Sequence, residues 1–261
     1  MKRLILWSLA AVLCAESGIR AQTSGLRGSL SNGTRVSVER DQSGPSFVLR
    51  LVNSANGLDR SIRLSPTVIR GKELFISRDE AYVIVVADTN NGDYVAIAGE
   101  DGRPVTAFMT ATAAVSPDRA LVIYQSHIAR GEANPKTAYG VYRVGAPVIS
   151  NTNVFYPVDT AGHERESPLV WVADRIAAFL DRSGEGLDVI AAEFSSAGQP
   201  IRVVRKPLDV AALANPRGDV VGNQRMISAS GIDRLPGTGL ALRLRFNSPH
   251  VRVRRFDITL W

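Results

Sequence analysis

Cysteine is almost absent from this sequence. Of 261 residues only Cys14 carries a thiol. Histidine and tryptophan are scarce too, with three of each. One cysteine builds neither a disulfide framework nor a thiolate metal site. The motifs of several common chemistries are missing. There is no Gly-x-Ser-x-Gly, no Gly-x-x-x-x-Gly-Lys-Ser/Thr and no His-Glu-x-x-His. These absences remove the serine-elbow hydrolase, the P-loop nucleotide hydrolase and the zinc-helix peptidase. No catalytic residue, metal site or cofactor is implied. With 45% hydrophobic and 21% charged residues, the chain is not disordered, collagen-like or a polytopic membrane protein.

The N-terminus is built for export. Lys2 and Arg3 precede an apolar run from Leu4 to Ala15. A helix of that length is too short for a hydrocarbon core of about 30 Å. Small residues offer cleavage after Ala15 or after Ala21. Residues 1–21 are therefore expected to be a signal peptide and 22–261 a single domain, periplasmic or secreted and bacterial in style. A lipobox would need a small residue before Cys14, with leucine three before it. Leu13 and Ala11 stand there instead, so the cysteine is expected to leave with the signal. Cleavage at either site lowers the net charge from +6 to +4 (29 basic against 25 acidic residues, or 28 against 24).

Much of the remaining positive charge is C-terminal. Arg243 and Arg245, and Arg252 and Arg254, alternate with Leu and Val, which places them on one face of two strands. The reading is a solvated sheet face, with an anion-binding or membrane-surface patch as the alternative. Nucleic acid is not expected, because no aromatic residues interleave the arginines. The terminal Trp261 resembles the end signal of an outer-membrane barrel strand. The alternate positions counting back, Thr259, Asp257 and Arg255, are polar, so the register excludes it. An integral membrane protein is not expected.

The body of the chain repeats. Short apolar runs recur at 47–52, 82–87, 94–98, 121–124, 189–192, 240–246 and 251–261. Val172, Ile176, Phe179 and Leu180 suit a helix face, but the repeat makes that stretch a strand; Asp209 to Ala214 suits one helical turn. One recurring element is a turn before an apolar strand: Ser31-Asn32-Gly33-Thr34, Ser77-Arg78-Asp79-Glu80, Ser116-Pro117-Asp118-Arg119, Val172-Ala173-Asp174-Arg175 and Asn215-Pro216-Arg217-Gly218. Its aspartates can close the turn on local amides. Arg217-Gly218-Asp219, an adhesion tripeptide by spelling, coincides with the last copy. A second element is a tight turn at Gly57, Gly102, Gly145 and Gly198, with a last hairpin near Ser248. The steps are 45, 43, 53 and 50 residues. Three copies read Gly-x-Pro-[Val/Ile]. Such meanders cannot bury both faces alone, so they stack, and a ring closes the array.

Ser116-Pro117-Asp118-Arg119-Ala120-Leu121-Val122-Ile123-Tyr124 resembles the Ser-Pro-Asp-Gly core of TolB-like and other WD-like β-propeller repeats. Residues 77–85 and 172–179 are weaker copies. Glu80, Arg119 and Arg175 replace the usual glycine. The resemblance implies an all-β propeller; about 240 mature residues at about 48 per unit fit five antiparallel meanders, with a β-sandwich as the alternative. The resemblance implies scaffolding or ligand binding and no particular reaction.

Candidate ligand residues are few. The stretch 151–168 holds Asp159, His163, Glu164 and Glu166, where one repeat step lengthens to 53. A second loop, 125–136, holds His127. Extra length between blades forms loops on one face, where ligands bind. His250 belongs to the last turn. Gly184-Glu185-Gly186 and Gly237-Thr238-Gly239 are loop pairs without a nucleotide motif. Asp79, Asp118 and Asp174 recur once per unit, as turn-closing residues do and catalytic ones need not. The expectation is a binding or scaffold protein that engages a protein or envelope component. The alternative is a carbohydrate-active enzyme or lectin on the same fold, with a glycan as ligand, although Trp171 reads as core.

Overall fold

The computed structural model describes residues 25–126, 137–146, 153–157, 163–165, 167–183, 186–209, 213, 229–247 and 251–261. It is an all-β chain of five antiparallel sheets in chain order, a β-propeller of five blades. The alternative of two packed sheets is set aside. The first blade runs β1 (Leu26–Ser29), β2 (Arg35–Arg40), β3 (Phe47–Asn53), β4 (Leu58–Arg63). The second runs β5 (Val68–Ile76), β6 (Tyr82–Thr89), β7 (Gly92–Gly99), β8 (Pro104–Thr110). The third runs β9 (Thr112–Val115), β10 (Leu121–Gln125), β11 (Tyr139–Arg143), β12 (Val154–Phe155). In the fourth, β13 (His163–Arg165) and β14 (Val170–Ala173) both pair with β15 (Ile176–Ser183), followed by β16 (Gly186–Phe194) and β17 (Pro200–Pro207). The fifth has three strands, β18 (Ala229–Arg234), β19 (Ala241–Phe246) and β20 (Arg255–Thr259).

The middle strands read as unbroken apolar runs because both of their faces are covered. In β6, Val83, Val85 and Ala87 pack with the first blade, while Ile84 packs with the third. In β10, Leu121 and Ile123 face the fourth blade, while Val122 and Tyr124 face the second. In β15, Ala177 and Phe179 face the third blade, and Ala178 and Leu180 the fifth. Four apolar clusters thus fill the four junctions between successive blades.

The recurring turns are closed as their residues predict. Ser77 Oγ donates to Asp79 Oδ1 (2.6 Å) and accepts from Tyr82 N (2.9 Å), while Ala81 N donates to Asp79 (3.2 Å). Ser116, Asp118, Ala120 and Leu121 repeat the same bonds at 2.6, 3.1 and 2.9 Å. Glu80 and Arg119 take left-handed φ values of 57° and 60°, a conformation unfavourable to a side chain. Each has an anchor in the preceding blade. Glu80 Oε2 accepts from Ser31 N and Oγ, both at 2.7 Å. Arg119 Nη1 donates to the Ile76 carbonyl (2.8 Å). At the same turn position in the fourth blade, Arg175 pairs with Asp118 (3.0 Å). The missing glycines have become straps from blade to blade.

The later turns explain their glycines by close approach. A Cβ on Gly102 (φ +74°) would lie 2.6 Å from Arg60 Cβ in the first blade. A Cβ on Gly198 would lie 3.1 Å from Val141 in the third.

The two end blades differ from the inner ones. Their outward faces are ionic: Arg50 pairs with Asp59 (3.0 Å) on the first, Arg243 with Asp257 (2.8 Å) and Arg245 with Asp233 (2.8 Å) on the last. Among the described residues no apolar cluster joins the fifth blade to the first.

The fifth blade is also phased differently from the sequence reading. Its β18–β19 turn is 235–240, where Leu235 N donates to the Ala241 carbonyl (2.8 Å), so the Gly237 and Gly239 pair is a blade turn. The expected last hairpin near Ser248 joins β19 to β20, one connection earlier in the meander than the Gly57 to Gly198 series. Residues 215–218 and 248–250 lie outside the described residues. Arg252 and Arg254 precede β20, and it is Arg255 that stands in register with Arg245.

Candidate functional site

Antiparallel order sends alternate connections to opposite ends of the blades. One end carries the tight turns at 30–34, 54–57, 77–81, 99–103, 116–120 and 195–199 and the connection 144–153. The other carries the connections 126–138, 156–162 and 208–228. The strands that flank the two loops singled out by the sequence, β10, β11, β12 and β13, belong to the third and fourth blades. His163 and Glu164 lie in β13, in register with Ser183 and Arg182 of β15. His127, Asp159 and Glu166 lie outside the described residues, as do residues 1–21.

Beneath these connections is a buried ionic row. Arg165, Asp181 and Asp188 stand directly opposite one another across β13, β15 and β16. Opposed residues share a face. That face is the one Phe179 and Ile190 turn toward the third blade. Asp181 is 1% exposed and Asp188 4%. Arg205 Nε donates to Asp188 Oδ2 (2.7 Å). Arg165 Nε donates to Gln125 Oε1 of the third blade (2.9 Å), and its Nη1 to the Ser167 carbonyl. Between β13 and β14 the ladder is broken, and Ser167 Oγ accepts from Leu180 N (2.7 Å) in its place. Two buried carboxylates with two guanidiniums give a neutral row, the arrangement that low-dielectric burial demands.

Tyr139 meets this row from the third blade. Its ring stacks on Phe179 with centroids 4.5 Å apart. Its hydroxyl is buried and has no hydrogen-bond partner. Burial drives the phenol far above its usual range; the Asp181 charge adds to this and Arg165 opposes it, so the hydroxyl stays protonated.

The second blade presents a related row to the other side of the third blade. Arg70, Asp88 and Asp93 are in register across β5, β6 and β7. Asp93, 5% exposed, accepts from Lys72 Nζ (3.1 Å to each oxygen) and from Ala113 N (2.8 Å) of the third blade. These carboxylates are matched to cations and amides, so their chemistry is to lock blades rather than to transfer protons. Asp79 and Asp118 close turns, as the periodicity predicts. Trp171 is mostly buried and its Nε1 donates to the Ala114 carbonyl (2.9 Å), as a core residue would.

The buried rows escaped the sequence reading. Their signal was present as aspartates at the hairpin ends of apolar strands, at 88, 93, 181 and 188.

No protein-family model and no curated protein matches the chain. Solved structures similar to it include the hydrazine synthase of Kuenenia stuttgartiensis, at 13% identity and TM-score 0.45, covering 84% of this chain and 63% of that one. Hsv2 of Kluyveromyces lactis is similar at 13% identity and TM-score 0.42, with 82% and 56% covered. Oligopeptidase B from Leishmania major is similar at 10% identity and TM-score 0.42, with 85% and 33% covered. The chain therefore spans less than two thirds of the length of each.

Proposed function

We propose that the protein is an exported, non-enzymatic propeller scaffold. It holds a partner protein or other envelope component on the end of the blades that carries the long connections. One observation supports this most: connections 126–138, 156–162 and 208–228 leave the same end, the first and last of them longer than the 144–153 connection at the opposite end, whose other turns are short. The Arg165–Asp181–Asp188 row gives two of these connections a rigid footing. Rigid footings under long loops are the usual geometry of a binding face. Among the described residues no helix is long and apolar enough to cross a membrane.

Export rests on Lys2, Arg3 and the 4–15 run. N-terminal sequencing of protein recovered from the envelope is expected to begin at Glu16 or Gln22; recovery of intact Met1 overturns it. Binding is tested by replacing 127–136 with a Gly/Ser linker of equal length and comparing crosslinked partners from an envelope extract. The loop variant is expected to lose partners that an Arg103→Ala variant at the tight-turn end keeps. Equal retention by both overturns the face assignment. Glycan hydrolysis abolished by His163→Ala and Glu166→Ala would overturn the non-enzymatic reading.

A further inference from the structure

A cavity of about 490 Å³ lies between β5, β9 and β14, the first strands of the second, third and fourth blades. It is separate from the long-connection face. Phe75, Val115, Leu169, Val170 and Trp171 give it apolar walls. Its charged lining is Lys72, Glu73 and Arg119. A register shift between Gly71 and Glu73 in β5 sets Lys72 and Glu73, and Arg119 reaches in from the turn before β10. Bulges re-aim side chains in this way.

The three charges are not equivalent. Lys72 is matched by Asp93, with Nζ 3.1 Å from both carboxylate oxygens. Glu73 is exposed and has no hydrogen bond or ion pair among the described residues. Arg119 donates Nη1 to the Ile76 carbonyl (2.8 Å), and no carboxylate pairs with it among the described residues. The cavity therefore offers one carboxylate and one guanidinium without counter-ions, with an apolar surface to accompany them. The complement is a molecule with an ammonium, a carboxylate and an apolar body. A dianion meets Glu73 with like charge, and a dication meets Arg119. An uncharged hydrocarbon leaves both charges, which are exposed, without a partner. The volume is that of an ordinary small-molecule site.

We propose that this axial cavity binds a zwitterionic apolar amino acid or short peptide, its ammonium on Glu73 and its carboxylate on Arg119. The test is calorimetric titration of the whole mature chain with the dipeptide Leu-Leu and with its N-acetylated and C-amidated forms. The free dipeptide is expected to bind one to one, and each blocked form about tenfold more weakly, the usual loss for one charged hydrogen-bonding partner. Glu73→Gln is expected to weaken the free dipeptide about tenfold and leave the N-acetylated form unchanged. Arg119→Gly, which restores a glycine to the left-handed turn, is expected to weaken the free acid and leave the amide unchanged. Absence of binding at millimolar dipeptide overturns the proposal. So does equal binding of the free and blocked forms, or a Glu73→Gln variant, folded by circular dichroism, with undiminished affinity.

Discussion

Single residues in this chain are constrained by the neighbouring blade as much as by their own. Gly102 and Gly33 both take left-handed φ, +74° and +85°, yet only Gly102 faces a close neighbour. Gly33→Ala is expected to cost about 1 kcal/mol, the strain of the backbone alone. Gly102→Ala adds the clash with Arg60 and is expected to cost about 2–4 kcal/mol; urea melts of the two variants give the difference. The turn carboxylates set the acid limit. The Ser77 hydroxyl and the Ala81 amide hold the Asp79 carboxyl below its usual value. The Ser31 hydroxyl and amide do the same for Glu80. With folded values depressed, the folded chain binds fewer protons than the unfolded one in acid. Their contribution is complete above the unfolded values near 4 and is lost as pH falls through the folded ones. The urea midpoint is expected to hold from neutrality to about pH 5 and to fall below about pH 4. Asp79→Asn is expected to flatten that fall.

At the scale of the element, blades are joined by apolar clusters and pinned by polar straps. Arg175 and Asp118, 31% and 11% exposed, form one strap, and a double-mutant cycle is expected to give a coupling of about 1 kcal/mol. Asp93 is a stronger pin because it is buried and joins Lys72 to the Ala113 amide. Asp93→Ala is expected to cost about 3 kcal/mol by chemical denaturation, since it leaves a cation and an amide without their acceptor. The strands were legible in the sequence because middle strands covered on both faces read as continuous apolar runs. Two of the turn copies, 77–80 and 116–119, were legible because serine and aspartate close them locally. The fifth blade was misphased because its β18–β19 turn, 235–240, has glycines and no Ser-x-Asp. Pairings that cross from one strand to a distant one, such as Arg165 with Asp181 and Gln125, leave no local pattern. The footing of the candidate site was therefore invisible, although the loops above it were not.

At the scale of the whole molecule, the inner three blades have an apolar neighbour on each side. The described residues give the first and fifth blades one each. Stability in a stacked array is the sum of unit and junction contributions. Native-state hydrogen exchange is expected to show the slowest amides in β6, β10 and β15, and faster exchange in β2, β3 and β19. Uniform protection across the five blades would contradict this. The ionic outer faces also govern how such a chain lengthens. A duplicated middle blade inserted between the third and fourth meets apolar surface on both sides and can be accommodated. The same blade appended beyond Arg50 and Asp59, or beyond Arg243 and Asp257, meets charge. Growth by duplication is thus directed to the apolar junctions between the inner blades, and the ionic faces of the first and fifth blades disfavour it.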